Sequence, residues 1–127
     1  MEEFKDDVKS KFDTEIIIEG RRFVIKSMTG SEYDEYLLGT HEQEYELVKG
    51  KRIPTGDIVP NIPKRNKWYL TKLISNAPYE KDGKSWKDLS EDERHEVTQG
   101  LNLKLRGVLI KKIYELNEGD DLKKKSN

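Results

Sequence analysis

Each of the two histidines in this chain stands directly before a glutamate, as His41-Glu42 and His95-Glu96. A zinc hydrolase helix places a second histidine four residues after the first, so that both imidazoles face one metal. Those positions hold Tyr45 and Gln99, and zinc ligation fails at both. His95 lies on a charged helix turn and reads as a solvated residue. Asp88, Glu91, Asp92 and Glu93 form a carboxylate cluster, but at the start of a helix such charges are explained by the helix dipole without general acid–base work. There is no G-x-x-x-x-G-K-[ST] loop, no G-x-G-x-x-G, no nucleophile-elbow spacing and no cysteine. No catalytic residue, metal or cofactor is expected, and the chain reads as a non-enzyme.

Nucleic-acid contact is the stronger chemical alternative. Lys64, Arg65 and Lys67 run up to Trp68, and Lys104, Arg106, Lys111 and Lys112 lie along a later helix. A basic stripe beside an aromatic ring is what phosphate contact and base stacking require. Against it stand a pI near 6.2 and basic residues interleaved with acidic ones.

These side chains are carried by elements that the sequence signals in part. Residues 87–117 read as one long helix: Ser90 and Glu93 form a capping box, acidic residues crowd the first turns, and Lys111 and Lys112 stand near the end. At about 100° per residue, Val97, Leu101, Leu105, Val108, Leu109, Ile113 and Leu116 share one broad face. A second, narrower stripe of Leu103, Ile110 and Tyr114, with Gly107 beside it, lies nearly opposite. Apolar residues on two sides imply two covers, the second being another part of this chain or another subunit. Gly100 and Gly107 weaken the helix, and a break near Gly100 is compatible with the pattern.

Upstream, Ile16, Ile17 and Ile18, the turn Glu19-Gly20-Arg21, then Val24 and Ile25 read as a β-hairpin. Thr29 with Glu32 caps a helix ending near Gly39. The stretch from Glu44 to Ile53 reads either as a second hairpin or as a helix and loop. Pro54, Gly56, Pro60 and Pro63 then argue against regular structure. A helix after Pro63 carries Trp68, Leu70, Leu73 and Ile74 and stops before Pro78. A connector with Asp82-Gly83 follows, anchored by Trp86. Phe4, Val8 and Phe12 stand four apart, as in a short amphipathic helix or a docking arm, although so charged a terminus is equally compatible with disorder. The expected class is α+β, mainly helical, with a small N-terminal β-hairpin and a long C-terminal helix. All 127 residues form one domain: an arm at 1–13, a globular body at 14–117 and a disordered tail at 118–127.

Charged residues make up 39% of the chain and the hydrophobic set 33%, which leaves a small core and loose termini. No apolar run is long enough to span a membrane and the N-terminus is acidic, so an intracellular protein is expected. The net charge of −1 hides an asymmetry. Residues 1–49 carry 13 acidic and 7 basic side chains, net −6, and residues 50–127 carry 12 and 17, net +5. Opposite-signed ends favour head-to-tail self-association, and they are equally compatible with solvated charge.

The order of elements has a further likeness. A helix ending in proline (LTKLISNAP), a Gly-containing connector, then SWKDLSEDER leading to IYELN follow a hairpin and capped helix, EGRRFVIKSMTGSEYDEY. About two-thirds of the chain thereby resembles the tail assembly chaperones of long-tailed bacteriophages and of related archaeal viruses or prophages. The resemblance implies a non-enzymatic protein of the host cytoplasm that coats the hydrophobic tape measure protein until tail tube subunits polymerise around it. Leu103, Gly107, Ile110 and Tyr114, and the arm of Phe4, Val8 and Phe12, are the candidate partner or self-association surfaces. In many members a frameshift near the C-terminus adds a domain that contacts the tail tube. Lys123, Lys124 and Lys125 stand where an A-rich slip site would be encoded, and read equally as a solvated tail. The alternatives are a small nucleic-acid-binding regulator, through the basic residues named above, or another virion tail or connector component.

Overall fold

The computed structural model describes residues 12–119. Three antiparallel hairpins lie along them, each closed by two residues with positive φ: Glu19-Gly20 at 52° and 77°, Lys49-Gly50 at 52° and 78°, and Asp82-Gly83 at 52° and 78°. Two successive left-handed residues suit a type I′ turn, whose twist matches the strands it joins, and glycine takes the second position without a Cβ clash. The hairpins pair β1 (Asp13–Ile18) with β2 (Arg21–Lys26), β3 (His41–Val48) with β4 (Lys51–Pro60), and β6 (Glu80–Lys81) with β7 (Lys84–Ser85). Short β5 (Ile74–Asn76) pairs antiparallel with β2, giving a sheet of order β1–β2–β5 with a bulge at Val24 and Ile25.

The helices are α1 (Gly30–Thr40), α2 (Ile62–Lys72), α3 (Glu91–Gln99) and α4 (Leu103–Tyr114). A 3-10 turn covers Trp86–Asp88, and a π-helical turn, Glu115–Gly119, follows α4. Among the described residues all four α-helices open on a side-chain cap. Thr29 with Glu32 and Ser90 with Glu93 form reciprocal capping boxes, while Asn61 and Asn102 accept from Lys64 N and Leu105 N. Pro63 sits in the first turn of α2, where a missing N–H costs nothing.

Alternation turns Ile18, Phe23 and Ile25 of the sheet inward, against Tyr36 of α1, Tyr69 and Leu70 of α2 with its C-cap Leu73, and Leu105, Leu109 and Ile113 of α4. Gly39 lets α1 approach α2 closely, since a Cβ there would stand 3.3 Å from the Trp68 ring. Trp86 pins the connector: it is buried, and its Nε1 donates to Ile74 O at 2.8 Å. Arg94 of α3 stacks 4.9 Å over that indole and donates to Trp86 O and Thr71 O. Beyond α4, the Asn117 amide accepts from Met28 N at 2.7 Å and donates to Lys26 O at 3.1 Å, so a side chain clasps the end of β2.

The expected architecture needs correction in four places. The protein is not mainly helical with one small hairpin: 47% of the described residues are helical and 34% lie in strands. The long C-terminal helix is two helices, because Gly100 caps the end of α3 and Asn102 caps the start of α4. Prolines do not break the stretch after Ile53, since β4 runs to Pro60. In a ribbon of only two strands each strand is an edge, where a residue without an N–H is tolerated. Ile74 belongs to β5, not to the helix before it. Phe4, Val8 and the tail beyond 119 lie outside the described residues. Among the described residues no helix is long and apolar enough to cross a membrane.

Two leucines of α4 separate core from surface. Leu109 is fully buried and Leu103 is 82% exposed. Leu109→Ala is expected to lower the free energy of unfolding by about 2–5 kcal/mol. Leu103→Ala is expected to change it by less than about 0.5 kcal/mol. Urea titrations of both variants check this, and equal losses would contradict the packing described.

Candidate protein-interaction site

The β3–β4 ribbon is almost wholly outside the core. Between His41 and Pro60 only His41 and Val59 are even half-buried. Its exposed side chains include Tyr45, Leu47, Val48, Ile53 and Ile58, and Leu38 at the adjoining end of α1 is 87% exposed. Cross-strand pairing sorts them onto two faces, because directly paired residues point the same way. One face holds His41, Gln43, Tyr45 and Leu47 opposite Pro60, Ile58, Pro54 and Arg52. The Arg52 guanidinium lies 4.5 Å over the Tyr45 ring. The other face sets Glu42, Glu46 and Val48 opposite Val59, Ile53 and Lys51. A bulge between Gln43 and Tyr45 accommodates Thr55 to Asp57, with Gly56 at φ 92° and Thr55 Oγ1 donating to the Glu44 carboxylate at 3.1 Å. An open, largely apolar cleft of about 690 Å³ runs between Leu37 and Leu38 on α1 and His41, Gln43 and Ile58 at the ribbon's base.

The base itself is held firmly. Asn61 N donates to Thr40 O at 2.7 Å, and Asn61 Nδ2 reaches Glu42 at 3.3 Å. The His41 ring meets Tyr36 edge-on at 5.5 Å, and its Nδ1 lies 3.0 Å from Thr40 Oγ1. Tyr36 stacks on Tyr69 at 5.8 Å, and both hydroxyls donate to the Glu118 carboxylate. Burial above all, helped by Glu118, pushes the Tyr36 hydroxyl up to about 12. The same causes push Tyr69 up further.

The second stripe on the C-terminal segment is divided by the fold. Ile110 and Tyr114 are half-buried against the core, and Arg65 lies 5.6 Å from the Tyr114 ring and 5.5 Å from that of Tyr69. Leu103 and Gly107 stay open, with nothing within 4 Å of a Cβ placed at Gly107. Lys104 and Lys111 are exposed on the same side of α4, and Lys112, Lys64 and Lys67 are also exposed. Arg106 is half-buried. Half-buried over two rings, Arg65 is less open to a phosphate than the exposed lysines of the basic set. Phe12 is 40% exposed just before β1, its carbonyl accepting from Ser27 N.

Three of the four clustered carboxylates are occupied structurally. Glu93 closes the α3 capping box and pairs with Lys84, and the Ser90 backbone bond holds its carboxyl below the usual range. Glu91 pairs with Lys72, whose ammonium also lies 4.9 Å over Trp68. Asp88 accepts from Ser85 Oγ at 3.3 Å. Among the described residues no group of three His, Asp or Glu side chains could hold a metal. The largest exposed apolar set, Tyr45, Leu47, Ile53 and Ile58, was missing from the sequence candidates. Its signal was the alternation Tyr45-Leu47 running into Lys49-Gly50, masked by the prolines that follow.

The tyrosine pair has a pH signature. Tyr36 holds its proton to about 12 when folded and to about 10.0 when unfolded. Its contribution is intact below the lower value and is lost as pH rises through the interval. Stability followed by circular dichroism is therefore expected to fall across that interval, and less steeply in Tyr36→Phe. No family model, curated protein or solved structure matches the chain.

Proposed function

We propose that this protein is a non-enzymatic assembly chaperone of the phage-tail type, which binds an extended apolar client, the tape measure protein, and keeps it dispersed until tail tube subunits replace it. The observation that carries the reading is the apolar face of the β3–β4 ribbon. Tyr45, Leu47 and Ile58 stand on one side of it, and Ile58 shares an open cleft with Leu38. Contiguous apolar surface on an otherwise highly charged chain marks a site of protein contact. Aromatic and aliphatic anchors on a ribbon with two unpaired edges can accept both side chains and main chain of a partner. Catalysis finds no support in the carboxylate cluster, where Asp88, Glu91 and Glu93 have local structural partners, nor at the histidines, which lie against Thr40 and Gln99. The nucleic-acid alternative is weakened by the stacking of Arg65.

Co-expression with the tape measure protein of the same genome tests this. The wild-type chain is expected to raise the soluble fraction of the client. The combined Tyr45→Ser, Leu47→Ser and Ile58→Ser variant is expected to bind it at least about tenfold more weakly, with an unchanged melting temperature. A client that stays equally soluble with the triple variant, or gains nothing from the wild type, would sink the proposal. Salt-sensitive binding of DNA or RNA in place of the client would favour the alternative.

A further inference from the structure

We propose that the free edge of β3 takes up an extended segment of the client as a third strand, and that apolar side chains alternate with lysine or arginine along that segment. The assignment rests on the reading of the ribbon as a client site and names how the client is held. Each strand of a two-stranded ribbon has one edge without a partner, and along it every second residue turns its N–H and C=O outward. The two edges are not equivalent. Strand β4 contains Pro54 and Pro60, and a proline leaves a ribbon intact where its nitrogen faces away from the paired strand, so the missing donors fall on the outer edge of β4. The bulge at Thr55 to Asp57, with Gly56 at φ 92°, interrupts that edge again. Strand β3 contains no proline, and its alternation is unbroken from His41 to Val48. An open cleft of about 430 Å³ follows it, lined by the successive residues from Glu42 to Leu47 and by Val59 and Arg52, their partners at the two ends. Successive residues of a strand point to opposite faces, so a hollow bordered by all of them runs along the main chain and not over one face.

The side chains of β3 fix what the incoming strand carries. On one face its residues meet Tyr45 and Leu47, and on the other they meet Glu42, Glu44 and Glu46. Asn61 and Thr55 donate to Glu42 and Glu44, and no cation pairs with any of the three glutamates among the described residues. All three are exposed, and Lys51 on the same face stands at the tip, opposite Val48. Opposite charges on neighbouring strands stabilise their pairing and like charges oppose it. The glutamate row therefore selects a basic segment and rejects β3 of a second copy, whose own glutamates would stand against it. At about 3.3 Å per residue, the 8 residues of β3 offer an edge of roughly 26 Å, enough for a client segment of the same length.

The probe is an end-blocked synthetic octapeptide of alternating lysine and valine, added to the full chain and followed by residue-resolved amide hydrogen exchange. Exchange is expected to slow at alternate amides of β3 and to stay unchanged along β4. A glutamate–valine octapeptide should bind at least about tenfold more weakly. N-methylation of one alternate set of peptide amides should weaken binding as much, and methylation of the other set should leave it unchanged, because only one set faces β3. Equal binding of the two methylated peptides, equal binding of the glutamate–valine peptide, or slowing on β4 in place of β3 overturns the proposal. Slowing on β3 that follows protein concentration alone would seat a second copy there and overturn it too. Glu42→Lys, Glu44→Lys and Glu46→Lys together should reverse the preference in favour of the glutamate–valine peptide. Should that chain not fold by circular dichroism, the three Glu→Gln changes replace it, with loss of the lysine preference expected and an unchanged preference overturning. Client solubilisation is read separately. A client solubilised by a chain whose β3 takes no peptide overturns strand addition alone, and a β3 that takes the peptide while the client stays insoluble sinks the earlier reading alone.

Discussion

Helix α2 packs against α1, α3, α4 and β5, and the burial of Tyr69, Leu70 and Leu73 at its C-terminal end is the interaction on which the other elements depend. Each such side chain contributes about 1.5–3 kcal/mol when taken out of water. Because neighbours cover the helix on several sides, its loss would unseat the sheet and both C-terminal helices together. The polar contacts reinforce the same place. Arg94 donates to Thr71 O, where the carbonyls of α2 lack helical partners and the dipole favours a cation. Burial draws the Arg94 guanidinium below its ordinary range, and its stack on Trp86 compensates part of that desolvation.

A core of this size in so charged a chain covers one body and little more. The β1–β2–β5 sheet, α2, α4 and the Trp86 connector use most of the buried apolar side chains, and the β3–β4 ribbon is left with its own cross-strand pairs. A two-stranded hairpin standing alone is marginal in water, so here it relies on its base, where Thr40, His41 and Asn61 tie it to α1 and α2. Stability is therefore graded along the molecule, high around α2 and low toward Lys49-Gly50. That gradient suits a surface that has to adapt to a partner.

Local chemistry was readable before the fold was known, and long-range pairing was not. The capping boxes at Thr29–Glu32 and Ser90–Glu93 and the Glu19-Gly20 turn are all set by residues within a few positions of one another. Asn102 carried an equally local signal, an N-cap residue two positions after a glycine, but the continuous apolar periodicity of the segment outweighed it. Strand β5 left no trace, since three residues after a helical pattern are too few to show a period of two. Its placement depends on β2, about fifty positions earlier in the chain. The candidate surface on α4 was half legible: periodicity identified the stripe, but only the packing of α2 decided that Tyr114 and Ile110 are covered while Leu103 is not.

The paired left-handed residues at the tip of the β3–β4 ribbon have a mechanical corollary. Strands joined by such a turn coil about one another, more strongly in a two-stranded ribbon than in a broad sheet. Over the length from His41 to Val48 the greasy and the anionic sides therefore wind like stripes on a barber's pole. A planar, rigid surface could lie along only a short arc of either stripe. Whatever engages the full length has to follow the winding, which favours slender, pliant strands or rods over globular bodies.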